Sequence, residues 1–100
     1  MSIARIGEFH AQEGQTEALR DFIMTHVVPG IADSPGCASC QVWQSEDDPR
    51  RFTIIEIWES REAHRASVRQ IPPELIQQVR TLIADPPSGG YYQPLFPPSS

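Results

Sequence analysis

The sequence predicts one small α+β domain of the ferredoxin-like kind, built on an antiparallel sheet. Three observations carry that prediction. Strand and helix patterns follow one another in the order β-α-β-β-α-β within 100 residues, which is the split β-α-β arrangement. The stretch from Arg51 to Glu59 is apolar on both sides, with Phe52, Ile54 and Trp58 on one and Ile55 and Ile57 on the other. A strand of that kind is covered on both faces. The domain's own helices supply one cover, and a second subunit is the simplest source of the other. Finally, Ile71-Pro72-Pro73 interrupts the second helix and breaks it in two.

Each element has its own signal. Ile3 to His10 is short and rich in alternating apolar residues, so it reads as a strand that Glu13-Gly14-Gln15 terminates. A helix follows, with Ala18, Leu19, Phe22, Ile23, His26 and Val27 recurring on one face. Pro29-Gly30 should end or kink it, and Ser34-Pro35-Gly36 is a turn. Cys37 to Gln44 is the second strand, joined through the polar turn Ser45 to Pro49 to the third strand as a hairpin. Ser60 is placed to cap the next helix, with Glu62 in its first turn where the helix dipole favours an acid. A further helix from Pro73 or Glu74 presents Leu75, Ile76, Val79, Leu82 and Ile83 inward. Asp85 to Gly90 is expected to be a linker and Tyr91 to Phe96 a last short strand. The domain thus runs over 1–96, and 97–100 should be a frayed tail.

Composition removes several classes of function. The formal net charge is −5, and all eight basic residues are arginines scattered among acids. Phosphate binding needs a basic patch, so neither nucleic acid nor an anionic membrane surface is an expected partner. The absence of lysine removes Schiff-base chemistry and the phosphate-binding P-loop. No apolar run is long enough to span a membrane. The N-terminus reads straight into structure without a signal segment, so the cytoplasm is the expected address.

Cys37 and Cys40 form a C-x-x-C within Cys-Ala-Ser-Cys-Gln-Val-Trp. Redox motifs of this spacing begin a helix, whereas this one lies on a predicted strand. Residues three apart on a regular strand face opposite sides. The pair should then neither bridge nor share a metal, and no second ligand pair exists for zinc.

Three segments, taken together, are recognisable. They are Ser34-Pro35-Gly36-Cys37-Ala38-Ser39-Cys40-Gln41-Val42, then Asp48-Pro49-Arg50-Arg51-Phe52, then Glu56-Ile57-Trp58-Glu59-Ser60-Arg61-Glu62-Ala63. In residue types and spacing this resembles the antibiotic biosynthesis monooxygenase (ABM) family over most of residues 3 to 84. The resemblance implies a ferredoxin-like protomer that packs sheet to sheet with a second copy as a dimeric α+β barrel. It also implies chemistry of the kind some members perform, oxygenation of quinols and polyphenols without metal, flavin or haem. Two departures matter. The helical histidine common in the family is replaced by Ser67, and a histidine stands three residues earlier as His64. The haem-degrading branch relies on an asparagine, and this chain has none, so that activity is disfavoured.

Candidate site residues follow. His64 shares a helix face with Val68 and Ile71, so it should point inward, where neighbours tune an imidazole across neutrality. It reads either as a general base or as a core histidine satisfied by one hydrogen bond. Glu56 shares a strand face with Ile54 and Trp58, where a carboxylate is costly unless paired. Arg5 on the neighbouring strand is its possible partner, as a buried ion pair, or alternatively a donor to a substrate oxyanion. Trp58 and Trp43, with Phe9, Phe22 and Phe52, could wall an aromatic pocket or be plain core. His10, ending the first strand, borders a candidate pocket, and His26 reads as packing. The Tyr91-Tyr92 pair could lid a pocket or reach toward a partner.

Two functions compete on these grounds. The first is a cofactor-independent monooxygenase acting on a quinol or related phenolic, with His64 as base and Arg5, Glu56, Trp58, Ser67, Phe22 and His10 about the pocket. The alternative is a non-catalytic dimeric module that binds a small aromatic ligand, which the replacement by Ser67 favours.

Overall fold

The computed structural model describes residues 2–97. Four strands, β1 (Ile3–His10), β2 (Cys37–Gln44), β3 (Arg51–Trp58) and β4 (Ser88–Tyr92), form one sheet in the order β2-β3-β1-β4. Every pairing is antiparallel. Helices α1 (Thr16–Phe22), α2 (Val28–Ala32), α3 (Arg61–Arg69) and α4 (Pro73–Arg80) make up the second layer. This is the ferredoxin-like α+β fold, with the second helix divided as Pro72-Pro73 predicts. Of the expected frayed tail, residues 98–100 lie outside the described residues.

Strand register decides which side chains meet. Arg5 stands opposite Glu56 on one side and Tyr91 on the other. Alternation then places Ile3, Arg5, Gly7 and Phe9 on the helix-covered face, with Phe52, Ile54, Glu56 and Trp58 of β3. The apolar part of that face packs with Ala11, Leu19, Ile23 and Ile83 as the buried core. Removing a side chain such as Leu19 or Phe52 from water stabilises the fold by roughly 1.5–3 kcal/mol each.

The opposite face carries Ile6, Ile55 and Ile57, with Trp43 and Tyr92 at its margins, and among the described residues no element lies across it. Trp43 is 59% exposed. The two-sided apolar pattern of β3 has this origin. β1 shares the central position with β3, an arrangement its alternation with Gly7 and Glu8 conceals.

Three local expectations need correction. The first helix does not end at Pro29-Gly30 but continues to Ala32 through a π-helical turn over Ile23–Val27. Pro29 has no N–H to give one α-turn back, and the wider turn absorbs the mismatch, with the Val28 N–H donating to Ile23 O. Pro29 then occupies the first turn of α2, where its missing donor costs little. The last strand is Ser88–Tyr92 rather than Tyr91 to Phe96. Pro94 has no donor for a ladder, whereas Gly89 and Gly90 pair with Gly7 and Ile6.

The third correction concerns the cysteines. A bulge between Cys37 and Ser39 sets Cys37 opposite Trp58 and Cys40 opposite Glu56. The extra residue turns both thiols to the same, helix-covered face. Both are free, and burial, reinforced by the Glu56 carboxylate, pushes the Cys40 thiol up to about 11. A thiol held protonated is a poor nucleophile and a poor ligand.

Ser60 caps α3 as predicted, its hydroxyl accepting from the Ala63 N–H at 3.1 Å. The turn before β2 depends on Gly36, at φ +88°, where a Cβ would lie 2.7 Å from the Ala63 Cβ. Gly14 has a similar φ of +82° with open space around it. Gly14→Ala should therefore cost about 1 kcal/mol from backbone strain alone. Gly36→Ala should cost at least about twice that, because α3 must also retreat; urea unfolding of both variants checks the difference. Among the described residues no helix is long and apolar enough to cross a membrane.

Candidate active site

Between the sheet and the helices lies a cavity of about 430 Å³ that opens to solvent. Its walls are apolar: Phe9 and Phe22 on one side, Ile31, Leu75, Ile76 and Val79 around them. A few polar groups converge at one end, namely Arg5, Glu56, His64 and Ser67. A concave apolar space of this size with a few convergent polar groups is the usual form of a small-molecule site.

The polar end is built by β1, β3 and α3. His64 reaches it from the second turn of α3, in line with Val68 and Ile71, which border the cavity further on. Its ring is held on two sides by edge-to-face contacts, with Trp58 at 5.5 Å and Tyr91 at 5.4 Å between centroids. Nδ1 lies 2.7 Å from the Tyr91 hydroxyl. Burial first, and then the guanidinium charges of Arg5 and Arg65, hold the imidazole below its ordinary value of 6.5. Both causes favour the uncharged imidazole.

Glu56 is 7% exposed, and its Oε1 accepts from the Trp58 indole N–H at 2.8 Å. Burial raises its carboxyl above the ordinary 4.5, partly offset by the Trp58 hydrogen bond and by the charge of Arg5. The expected Arg5–Glu56 ion pair does not form, although the two face each other in register. Among the described residues the carboxylates that face a basic side chain are Asp48, near Arg51 and His10, and Asp85, near His10. Arg5 instead turns toward β4. Its guanidinium carbon sits 5.1 Å from the centre of the Tyr91 ring, and a Cβ on Gly89 would come within 2.6 Å of its Nη2. Gly89 is the residue that gives Arg5 this room.

These carboxyl energetics have a testable sign. A carboxyl whose folded value is raised favours its neutral form, so its stabilising contribution is full below pH 4.5 and is lost as pH rises through the raised value. Glu56→Gln keeps an acceptor for Trp58 and removes the ionisation. The variant should melt higher than the wild type at pH 7 to 8, with the difference closing toward pH 4. A difference independent of pH would contradict burial as the cause.

Several predicted pocket residues lie elsewhere. Trp58 is fully buried beneath Glu56 and His64 and supports them from behind; it does not wall the cavity. Trp43 is on the uncovered face, its Nε1 donating to Gln41 Oε1 at 3.1 Å. His10 ends β1 on that same face, five residues from Arg5 and so roughly 16 Å along the strand. It binds Asp85 at 3.1 Å and approaches Asp48 at 3.6 Å, tying the hairpin turn to the segment before β4. His26 is exposed and borders the cavity beside Phe22, with rings 5.2 Å apart. Ser67 does line the cavity, its hydroxyl donating to the His64 carbonyl at 2.7 Å. Tyr91 is the neighbour of His64 that sequence reasoning did not place. Treating Gly89-Gly90 as strand would have set it beside Arg5. Among the described residues no group of three or more His, Cys, Asp or Glu side chains is arranged to hold a metal ion.

Comparison with known proteins agrees with this architecture. The family model described as antibiotic biosynthesis monooxygenase matches residues 2–82. No curated protein matches the chain. A Chloroflexus aurantiacus protein of known structure, provisionally named an antibiotic biosynthesis monooxygenase, is 33% identical with a TM-score of 0.70, covering 90% of this chain and 91% of that one. A similarly named Nitrosomonas europaea protein has a TM-score of 0.83 at 24% identity, covering 98% of this chain and 94% of its own. The fold is also similar to an asparagine-to-alanine mutant of SnoaB, a cofactor-independent oxygenase from Streptomyces nogalater. There the TM-score is 0.80 at 16% identity, over 97% of this chain and 98% of that one.

Proposed function

The chain belongs to the antibiotic biosynthesis monooxygenase family, and from that premise we propose that it is a cofactor-independent monooxygenase of a quinol or related phenolic. The observation that carries the reading is His64, an imidazole held toward its uncharged form at the polar end of a largely apolar cavity, with a guanidinium nearby. SnoaB, of the same fold, is a cofactor-independent oxygenase.

The chemistry asks little of a protein. A dihydroxyaromatic or an anthrone supplies all the electrons needed to reduce dioxygen, so one oxygen atom enters the ring system and the other leaves as water. His64 takes the substrate proton, and the resulting anion is electron-rich enough to react with oxygen. Arg5 stabilises the oxyanion through a charge that is worth more in an apolar site than in water. The walls formed by Phe9, Phe22 and Leu75 bind the rings and exclude water. A base must be neutral to act, and His64 is neutral above a value that lies below 6.5. The rising limb of kcat/KM should accordingly fall below pH 6.5, with a plateau through neutrality.

The uncovered sheet face supports a second part of the proposal, a homodimer packed sheet to sheet. Burying Ile55, Ile57 and Trp43 against a copy of themselves removes from water the apolar surface that the sheet leaves uncovered. Sedimentation of the purified protein reads the assembly directly.

Oxygen consumption by the purified protein over a panel of quinols, naphthoquinols and anthrones tests the reaction. Protein-dependent uptake supports it. Uptake no greater than autoxidation across the panel, with a panel compound raising the melting temperature unconsumed, would leave the binding-module reading instead.

A further inference from the structure

An imidazole that is to accept a proton from a ligand needs a free lone pair aimed at it, and its other nitrogen must therefore carry the ring proton. At His64 the other nitrogen has a partner. The Tyr91 hydroxyl lies 2.7 Å from Nδ1, and the two rings cross at 81°. Tyr91 does not line the cavity. It stands behind the imidazole, on β4, while the ligand space lies in front. From this juxtaposition we infer that Tyr91 is the positioning residue of His64: its oxygen accepts the Nδ1–H bond and leaves the Nε2 lone pair for the ligand.

The direction of that hydrogen bond is what matters. A tyrosine hydroxyl either donates or accepts. If it donated to Nδ1, the ring proton would sit on Nε2, and His64 could offer a ligand only a donor. The base role proposed for His64 requires that it accept. Arg5, Arg61 and Arg65 place their guanidinium carbons 5.1, 5.2 and 5.8 Å from the centre of the Tyr91 ring. None of the three is ion-paired to a carboxylate among the described residues. The same three cations clamp the aromatic face, and Arg5 reaches it only across Gly89. The order of support runs from Gly89 to Arg5, from Arg5 to Tyr91, and from Tyr91 to the base. That is the logic of a base oriented by a third group.

The inference rests on the base role proposed above, and one measurement separates the two. Long-range proton–nitrogen correlation spectra of the whole protein give the His64 tautomer, assigned by comparison with His64→Gln. The wild type should show Nδ1 protonated and Nε2 bare at pH 7.5. Tyr91→Phe, which keeps the ring and removes only the hydroxyl, should move the proton toward Nε2. It should also lower kcat on an accepted quinol about tenfold with KM unchanged. A wild-type His64 protonated on Nε2 overturns the inference, and so does a Tyr91→Phe enzyme with unchanged tautomer and kcat. The wild-type spectrum needs neither a variant that folds nor a substrate. If no quinol is oxidised, the base role fails while the tautomer still decides the part assigned to Tyr91.

Discussion

His64→Ala should lower protein-dependent oxygen uptake by about 10²–10⁴-fold, the range a positioned general base contributes. The residue lies on a helix and lines the cavity without belonging to the buried core. Alanine is a strong helix former, so the variant should fold and its circular dichroism should match the wild type. The loss should appear in kcat, because the imidazole acts on the proton in flight and contributes little to holding the rings. Added imidazole should restore part of the rate, since the space vacated adjoins an open cavity. Undiminished uptake by His64→Ala would remove the base role and leave Arg5 and the apolar walls as the whole of the machinery.

Trp58→Ala should be the most destabilising single substitution, by about 3–5 kcal/mol in urea unfolding. Two losses combine. A fully buried indole leaves a void under the sheet. The Glu56 carboxyl also loses the donor that reaches it at 2.8 Å, and a buried carboxyl without a partner adds its own penalty. A domain of this size has about 5–15 kcal/mol in total, so at least about a fifth of the stability disappears. Trp58→Phe separates the two losses, because it fills most of the void but donates nothing. It should cost about 1–3 kcal/mol. A cost below about 1 kcal/mol for Trp58→Ala would mean that the site is not packed on this residue.

Periodicity made much of this legible. The alternation of Phe52, Ile54 and Trp58 against Ile55 and Ile57 announces a strand buried on one face and apolar on the other, and that is how β3 sits. Ser60 and Glu62 mark a helix start that the hydrogen bond to Ala63 realises. The proline pair after Ile71 divides the last helix where expected. What escaped in the sheet had one cause in common: register. Cys37 and Cys40 share a face because one extra residue enters β2, and spacing alone cannot reveal a bulge. Gly89-Gly90 reads as a linker in isolation, yet pairing with β1 makes it strand and delivers Tyr91 to His64. His10 and Arg5 lie on one strand at odd separation and so face opposite ways. Local sequence assigned the elements, whereas neighbouring strands decided which polar groups met.

Among the described residues the two indoles stand on opposite faces of one sheet, Trp58 fully enclosed and Trp43 59% exposed. Their emission should therefore separate into a blue component from the enclosed ring and a red component from the exposed one. A molecule entering the cavity disturbs the first through His64 and Glu56, and anything that covers the outer face shifts the second. The unmodified protein thus carries two optical channels, one for occupancy and one for association, and they can be read from a single cuvette.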